Sequence, residues 1–301
     1  NREPKQMYKF IETDLQKQKK EIEAWYQKLS REYPLPEQVR IERDIPYLKD
    51  GRNCHRMDIY YPQNHNGRLP VLMDFHGGGL LLCDKKVNQW FCSQMAQRGF
   101  LVFCIDYPLV PESDVYGILK DSYAGVREAY GLVERYGGDK EAVALCGDSA
   151  GALIAVYLAA LQKNERLAKI LGITPSAFEF GAVAAISGMF YTGRIDRQGI
   201  FILRKYFYGK GYRKHPFWKY VNPEHEEILE ALPNMFLTTS QGDYLRTYTL
   251  SFAAALKRQG KETVLKDYGD ATLKHDFVCM QPEREEAGQA MDELADFLKN
   301  R

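Results

Sequence analysis

The chain predicts one α/β domain with a mostly parallel central sheet and helices on both faces. Three observations carry that expectation. From residue 69 onward, short apolar strands alternate with helical stretches, which is the pattern of parallel pairing through right-handed crossovers. One strand, Val143-Ala144-Leu145-Cys146, runs into Gly147-Asp148-Ser149-Ala150-Gly151 and then into an apolar stretch, 152–160, with the composition of a buried helix. Of the 301 residues, 45% are hydrophobic and 27% charged, enough to build a sizeable core.

The elements follow in order. Residues 5–30 space Phe10, Ile11, Leu15, Ile22, Trp25, Tyr26 and Leu29 among Lys, Glu and Gln as an amphipathic helix does. Tyr33-Pro34-Leu35-Pro36 stops it. Residues 39–45 alternate as a strand, 54–61 form a second with Met57, Ile59 and Tyr61 on one face, and 62–68 read as a turn. Strands at 69–75 and 100–106 flank a helix at 87–98. A helix at 121–136 closes at Gly137-Gly138-Asp139, ahead of the strand that leads to Ser149. Further strands are expected at 182–187, 235–239 and 263–268, with helices at 249–260 and 283–299. The first two strands form an antiparallel pair leading into the parallel sheet. Residues 190–232 interrupt the rhythm with Phe190, Tyr191, Phe201, Tyr206, Phe207, Tyr208, Tyr212, Phe217, Trp218 and Tyr220. An insertion of this length is expected to form a lid or pocket wall.

Bulk properties exclude several function classes. A formal net charge of +1 gives no reason to expect a nucleic-acid partner. No apolar run is long enough to span a bilayer, and residues 1–20 lack the apolar core of a secretion signal. The six cysteines form no C-x-x-C pair, and Cys104 and Cys146 fall inside apolar runs. They read as free thiols of a reducing compartment, which predicts a cytoplasmic location and no structural metal.

The chemistry gathers on four stretches. A serine hydroxyl is a weak nucleophile unless a tight turn projects it toward a base, and such a turn tolerates only near-absent side chains around it. Strand 71–75 runs into His76-Gly77-Gly78-Gly79, where glycines leave backbone N–H groups open to a developing oxyanion. Losing one such donor costs about 3 kcal/mol of barrier. His76 itself is expected to brace the loop. Past the serine, His215 and His225 fall within 190–232, whereas His275 follows the last strand and would be presented at the carboxyl edge of the sheet. Asp243 follows strand 235–239 and is the expected partner of His275, with Asp267 and Asp270 as rivals; Asp276 adjoins the histidine and is not expected to face it.

Taken together, His76-Gly77-Gly78-Gly79, Asp106-Tyr107-Pro108-Leu109-Val110-Pro111-Glu112 and Gly147-Asp148-Ser149-Ala150-Gly151 resemble the hormone-sensitive-lipase-like family of α/β-hydrolase esterases. Its members usually read H-G-G-G, D-Y-R-L-A-P-E and G-D-S-A-G-G. Asp243-Tyr244-Leu245-Arg246 is similar to the family's D-P-L-R, and His275-Asp276-Phe277 to its H-G-F. The resemblance implies an α/β-hydrolase fold with a helical cap built from residues 1–35 and about 190–232. It implies Ser149, Asp243 and His275 as a triad, with backbone N–H groups of Gly77, Gly78, Gly79 and Ala150 as the oxyanion hole. The chain departs from the pattern at Pro108, Ala152, Tyr244, Thr247 and Asp276, the last placing a carboxylate beside the base. No departure removes a catalytic atom.

The expected activity is therefore serine carboxylic-ester hydrolysis through an acyl-enzyme, on short-chain or small acyl esters and without a cofactor. Deacetylation of a sugar or aryl-amide uses the same residues and stays open. So does non-catalytic binding of a small molecule, as in plant gibberellin receptors of this fold, although those lack the histidine that His275 supplies. The expected partner is a small-molecule ester, and a homodimer is neither required nor excluded by the residues.

Overall fold

The computed structural model describes residues 3–194 and 204–300, with side chains from residue 13 on. Eight strands form one sheet in the order β1-β2-β4-β3-β5-β6-β7-β8. Strands β1 (Val39–Pro46), β2 (Arg56–Pro62) and β4 (Leu101–Ile105) pair antiparallel. Strands β3 (Leu69–Phe75), β5 (Gly138–Asp148), β6 (Ala182–Ile186), β7 (Asn234–Ser240) and β8 (Thr263–Tyr268) continue the sheet in parallel from β4.

Side chains of a strand alternate between faces, and the central strands bury both. Leu101, Phe103 and Ile105 of β4 join one core, and Val102 and Cys104 the other. Parallel strands covered on both sides therefore read as unbroken apolar runs rather than as alternation. On the first face lie α3 (Val115–Leu132), α4 (Ala150–Lys163) and α8 (Arg246–Arg258). On the second lie α2 (Gln89–Gln97), α10 (Glu285–Lys299) and Leu29 of the long N-terminal α1 (Glu3–Glu32).

Some elements differ from the expectation. Helix α3 starts at Val115 rather than at 121, because the Asp114 side chain caps it by accepting the Gly117 N–H at 2.9 Å. A glycine in the first turn disguised that start. Helix α8 likewise begins before 249, at Arg246. The short helices α5 (Glu165–Ile170) and α9 (Phe277–Met280) show too few turns for periodicity to reveal.

The aromatic insertion is a clearer difference. Residue Phe201 lies outside the described residues, but Phe190, Tyr191, Phe207, Tyr208, Phe217 and Tyr220 are all buried in the first core. Phe207 and Tyr208 belong to the short helix α6 (Arg204–Tyr208), and α7 (Glu226–Ala231) follows. Tyr116 of α3 stacks on His215, with ring centroids 3.8 Å apart, and Tyr157 of α4 donates to Tyr220 O at 2.6 Å. These rings extend the scaffold on that face of the sheet. All six cysteines are free thiols. Among the described residues, no helix is long and apolar enough to cross a membrane.

Candidate active site

Ser149 sits between β5 and α4 with φ 48° and ψ −110°. That is a strained conformation for a residue with a side chain, costing on the order of 1–3 kcal/mol unless the surroundings impose it. They do. The Ser149 N–H donates to Ile186 O at 2.8 Å, and Ser149 O accepts the Met189 N–H at 2.9 Å. The flanking glycines are demanded by space: a Cβ on Gly151 would lie 1.8 Å from Phe75 O, and one on Gly147 would lie 2.3 Å from Gly151 C. Helix and strand can meet this closely only with hydrogen at both positions.

The turn aims the hydroxyl at His275. Ser149 Oγ lies 2.9 Å from His275 Nε2, and His275 Nδ1 lies 2.7 Å from Asp243 Oδ1. A carboxylate only accepts, so Nδ1 carries a proton, and in the neutral ring Nε2 then presents its lone pair to the serine. Asp243 is held in turn: Thr239 Oγ1 donates to its Oδ2 at 2.9 Å and the Leu245 N–H to its Oδ1 at 2.8 Å. Burial works against its charge, but the hydrogen bond and charge of His275 and the Leu245 N–H prevail, keeping its carboxyl below the usual carboxylate range. Gly242 lets the two loops meet, since a Cβ there would lie 2.3 Å from both Ala271 O and Leu273 O. A lone bridge from Gly242 to Lys274 then joins the acid loop to the base loop.

The rivals are engaged elsewhere. Asp267 takes both ends of the Arg246 fork, at 2.9 and 2.7 Å, and Asp270 pairs with Arg284 at 2.6 Å. His215 and His225 cap short helices, each Nδ1 accepting a backbone N–H, from Phe217 at 3.2 Å and from Glu227 at 3.3 Å.

The glycine loop after β3 lies against the nucleophile. A Cβ on Gly77 would meet Asp148 Oδ2 at 2.3 Å and Ser149 Cβ at 3.2 Å, while Gly78 and Gly79 have φ of 109° and 63°. Ala150 is the first residue of α4, so its N–H has no acceptor within the helix. His76 braces the loop from below. Its Nδ1 donates to Gly77 O at 2.7 Å, its ring stacks on Tyr107 at 4.3 Å, and Tyr107 Oη donates to His76 O at 2.6 Å. The Asp106-Tyr107 pair is thus part of the loop's support.

Asp276 corrects an expectation: it does face the base. Its left-handed backbone, φ 57°, turns the carboxyl back so that Oδ2 lies 3.1 Å from His275 Nε2. Burial alone would lower the His275 pKa, but the charge of Asp276, with hydrogen bonds to Asp243 and Asp276, pushes it up to about 10. Behind it lies a buried acidic chain that sequence reasoning did not single out. Asn88 Nδ2 donates to Asp148 Oδ1 at 2.7 Å and to Asp74 Oδ2 at 2.9 Å. Burial first, then the neighbouring carboxylates, raises Asp148 well above the usual range. Ser187 was also missed; its Oγ accepts the Asp276 N–H at 3.2 Å.

A cavity of about 410 Å³ opens above Ser149. Leu15 and Ile22 of α1 roof it beside Asp14 and Gln18, and Leu81, Leu82, Val87 and Met280 supply apolar wall. Tyr244 covers the base, its ring 4.3 Å from that of His275. Among the described residues of 190–232, none lines this cavity.

Comparison with known proteins fits this arrangement. A family model described as alpha/beta hydrolase fold matches residues 72–278. The chain is 26% identical over 238 residues to a probable isoprenylcysteine alpha-carbonyl methylesterase of Arabidopsis thaliana, covering 73% of this chain and 48% of that protein. It thus spans about half the length of that relative. It is 28% identical over 255 residues to a carboxylesterase of Mycobacterium tuberculosis, covering 81% of this chain and 77% of the other. Among solved structures, esterase B from Lactobacillus rhamnosis, inhibited by a tributyrin phosphonate, superposes with a TM-score of 0.89 at 21% identity. That match covers 97% of this chain and 95% of the esterase, and it shows a common fold.

Proposed function

The chain belongs to the α/β-hydrolase fold family, in its hormone-sensitive-lipase-like branch, and on that premise we propose that it is a serine carboxylic-ester hydrolase working through an acyl-enzyme. The observation that carries the reading is the continuous line from Ser149 Oγ through His275 to Asp243, with contacts of 2.9 and 2.7 Å. Ser149 attacks the ester carbonyl as its proton passes to His275 Nε2. Asp243 keeps the imidazole in the tautomer that can accept it and stabilises the imidazolium. Backbone N–H groups of Gly77, Gly78, Gly79 and Ala150 receive the oxyanion. His275 returns the proton to the departing alcohol, and water, activated by the same imidazole, releases the acid.

The apolar wall and the modest volume of the cavity under α1 favour short acyl chains. In this reading α1 serves as the cap. The histidine in working contact with the serine weighs against a purely binding role. The six unpaired thiols suit a reducing compartment, and we place the protein in the cytoplasm on that ground.

The test is hydrolysis of a p-nitrophenyl ester series by the purified protein. Wild type should turn over acetate and butyrate esters faster than long-chain ones, and Ser149→Ala should lose roughly 10⁴-fold or more in kcat. Absence of turnover by wild type on every member of the series would sink the proposal.

A further inference from the structure

The two nitrogens of His275 have different surroundings. Nδ1 has one partner, Asp243. Nε2 has two: Ser149 Oγ at 2.9 Å and Asp276 Oδ2 at 3.1 Å. A neutral imidazole protonated at Nδ1 offers Nε2 as an acceptor for the Ser149 hydroxyl alone, whereas the imidazolium offers one Nε2–H for which Ser149 Oγ and Asp276 Oδ2 compete as acceptors.

Asp276 is built into this position. Its N–H is anchored on Ser187 Oγ at 3.2 Å, its backbone is left-handed at φ 57°, and its side chain is buried. Its Oδ1 has no hydrogen-bond partner. Burial raises its carboxyl pKa, and the charge of His275 opposes that. The other groups facing His275 do not replace this contact. Asp243 holds the opposite nitrogen, Tyr244 covers the ring, and Asp14 of α1 and Cys83 line the cavity beyond.

Resting on the hydrolase reading above, we propose that Asp276 is a second carboxylate on the general base, which holds the Nε2 proton of the imidazolium and so governs the pH at which ester hydrolysis sets in. The protons balance over the cycle. When Ser149 gives its proton to Nε2, that proton is held between Nε2 and Asp276 Oδ2. When the tetrahedral intermediate collapses, Nε2 passes it to the leaving oxygen. Hydrolysis needs neutral His275 at the start. A group that stabilises the imidazolium therefore leaves full activity only above the raised pKa, with activity falling about tenfold per pH unit below it.

The experiment is the pH dependence of kcat/KM from about pH 5 to about pH 10 for wild type and Asp276→Asn, alongside ¹⁵N NMR titration of the His275 imidazole in both. Asparagine keeps the shape and tolerates the left-handed backbone. The expected result is a wild-type acidic limb above about pH 8 that drops by about one unit or more in the variant, raising kcat/KM at neutral pH roughly tenfold. An unmoved limb would overturn the inference. If neither protein turns over any ester, the hydrolase reading fails on its own, and the NMR midpoint decides. A midpoint lower in the variant than in wild type upholds the contact's effect, and equal midpoints overturn it.

Discussion

Asp243 and Asp276 approach one imidazole from opposite sides, and the same functional group has opposite consequences. Asp243 sits behind Nδ1, with Thr239, Leu245 and His275 all donating to it, and is held ionised. Asp276 meets Nε2, the nitrogen that must receive the serine proton, in a buried site where its Oδ1 finds no partner. A carboxylate on the far nitrogen orients the base and stabilises its charge without touching the transferred proton. A carboxylate on the near nitrogen stabilises that charge too, but by holding the proton itself. Position around the ring, rather than charge, decides whether an acid helps or delays the chemistry.

Three substitutions would break or sharpen this contrast. The largest effect is expected from Asp243→Asn, whose amide would favour the tautomer with its lone pair on the wrong nitrogen. Its kcat on p-nitrophenyl butyrate should fall roughly 10⁴-fold with little change in folding temperature, and a loss under about tenfold would contradict the orienting role. Asp276→Asn, at the other nitrogen, should gain activity at neutral pH. Asp148→Asn should act in the opposite direction and more weakly. Removing the neighbouring acid leaves the Asp276 carboxyl easier to ionise, so the acidic limb should climb by up to about one pH unit. A limb that falls instead would contradict the ionised Asp276 carboxylate as the source of the shift.

Much of the nucleophile side was legible in the residues. Gly147 and Gly151 are required by the close approach of strand and helix around Ser149, and such a demand leaves few alternative residue types. The order of Asp243 and His275 was equally readable, because each lies in the loop that follows one of the last two strands, β7 and β8. What stayed hidden depends on three-dimensional closure. Asp276 was expected to point away because neighbouring side chains usually diverge, and only its left-handed backbone reverses that. Asn88 and Asp74 lie far from Asp148 in sequence and meet it only after β3, α2 and β5 are assembled. The aromatics of 190–232 advertise an apolar surface but not which surface they cover. Most of those described fill the core beside α3 and α4, while the less conspicuous Leu15 and Ile22 of α1 roof the site.

The central claim is that Ser149 is the nucleophile, and the most direct measurement is covalent capture. The purified protein is treated with a fluorophosphonate probe, digested and mapped by mass spectrometry. One adduct per chain on Ser149 is expected, with no labelling in Ser149→Ala. An adduct on another residue, or equal labelling of the Ser149→Ala protein, would contradict it.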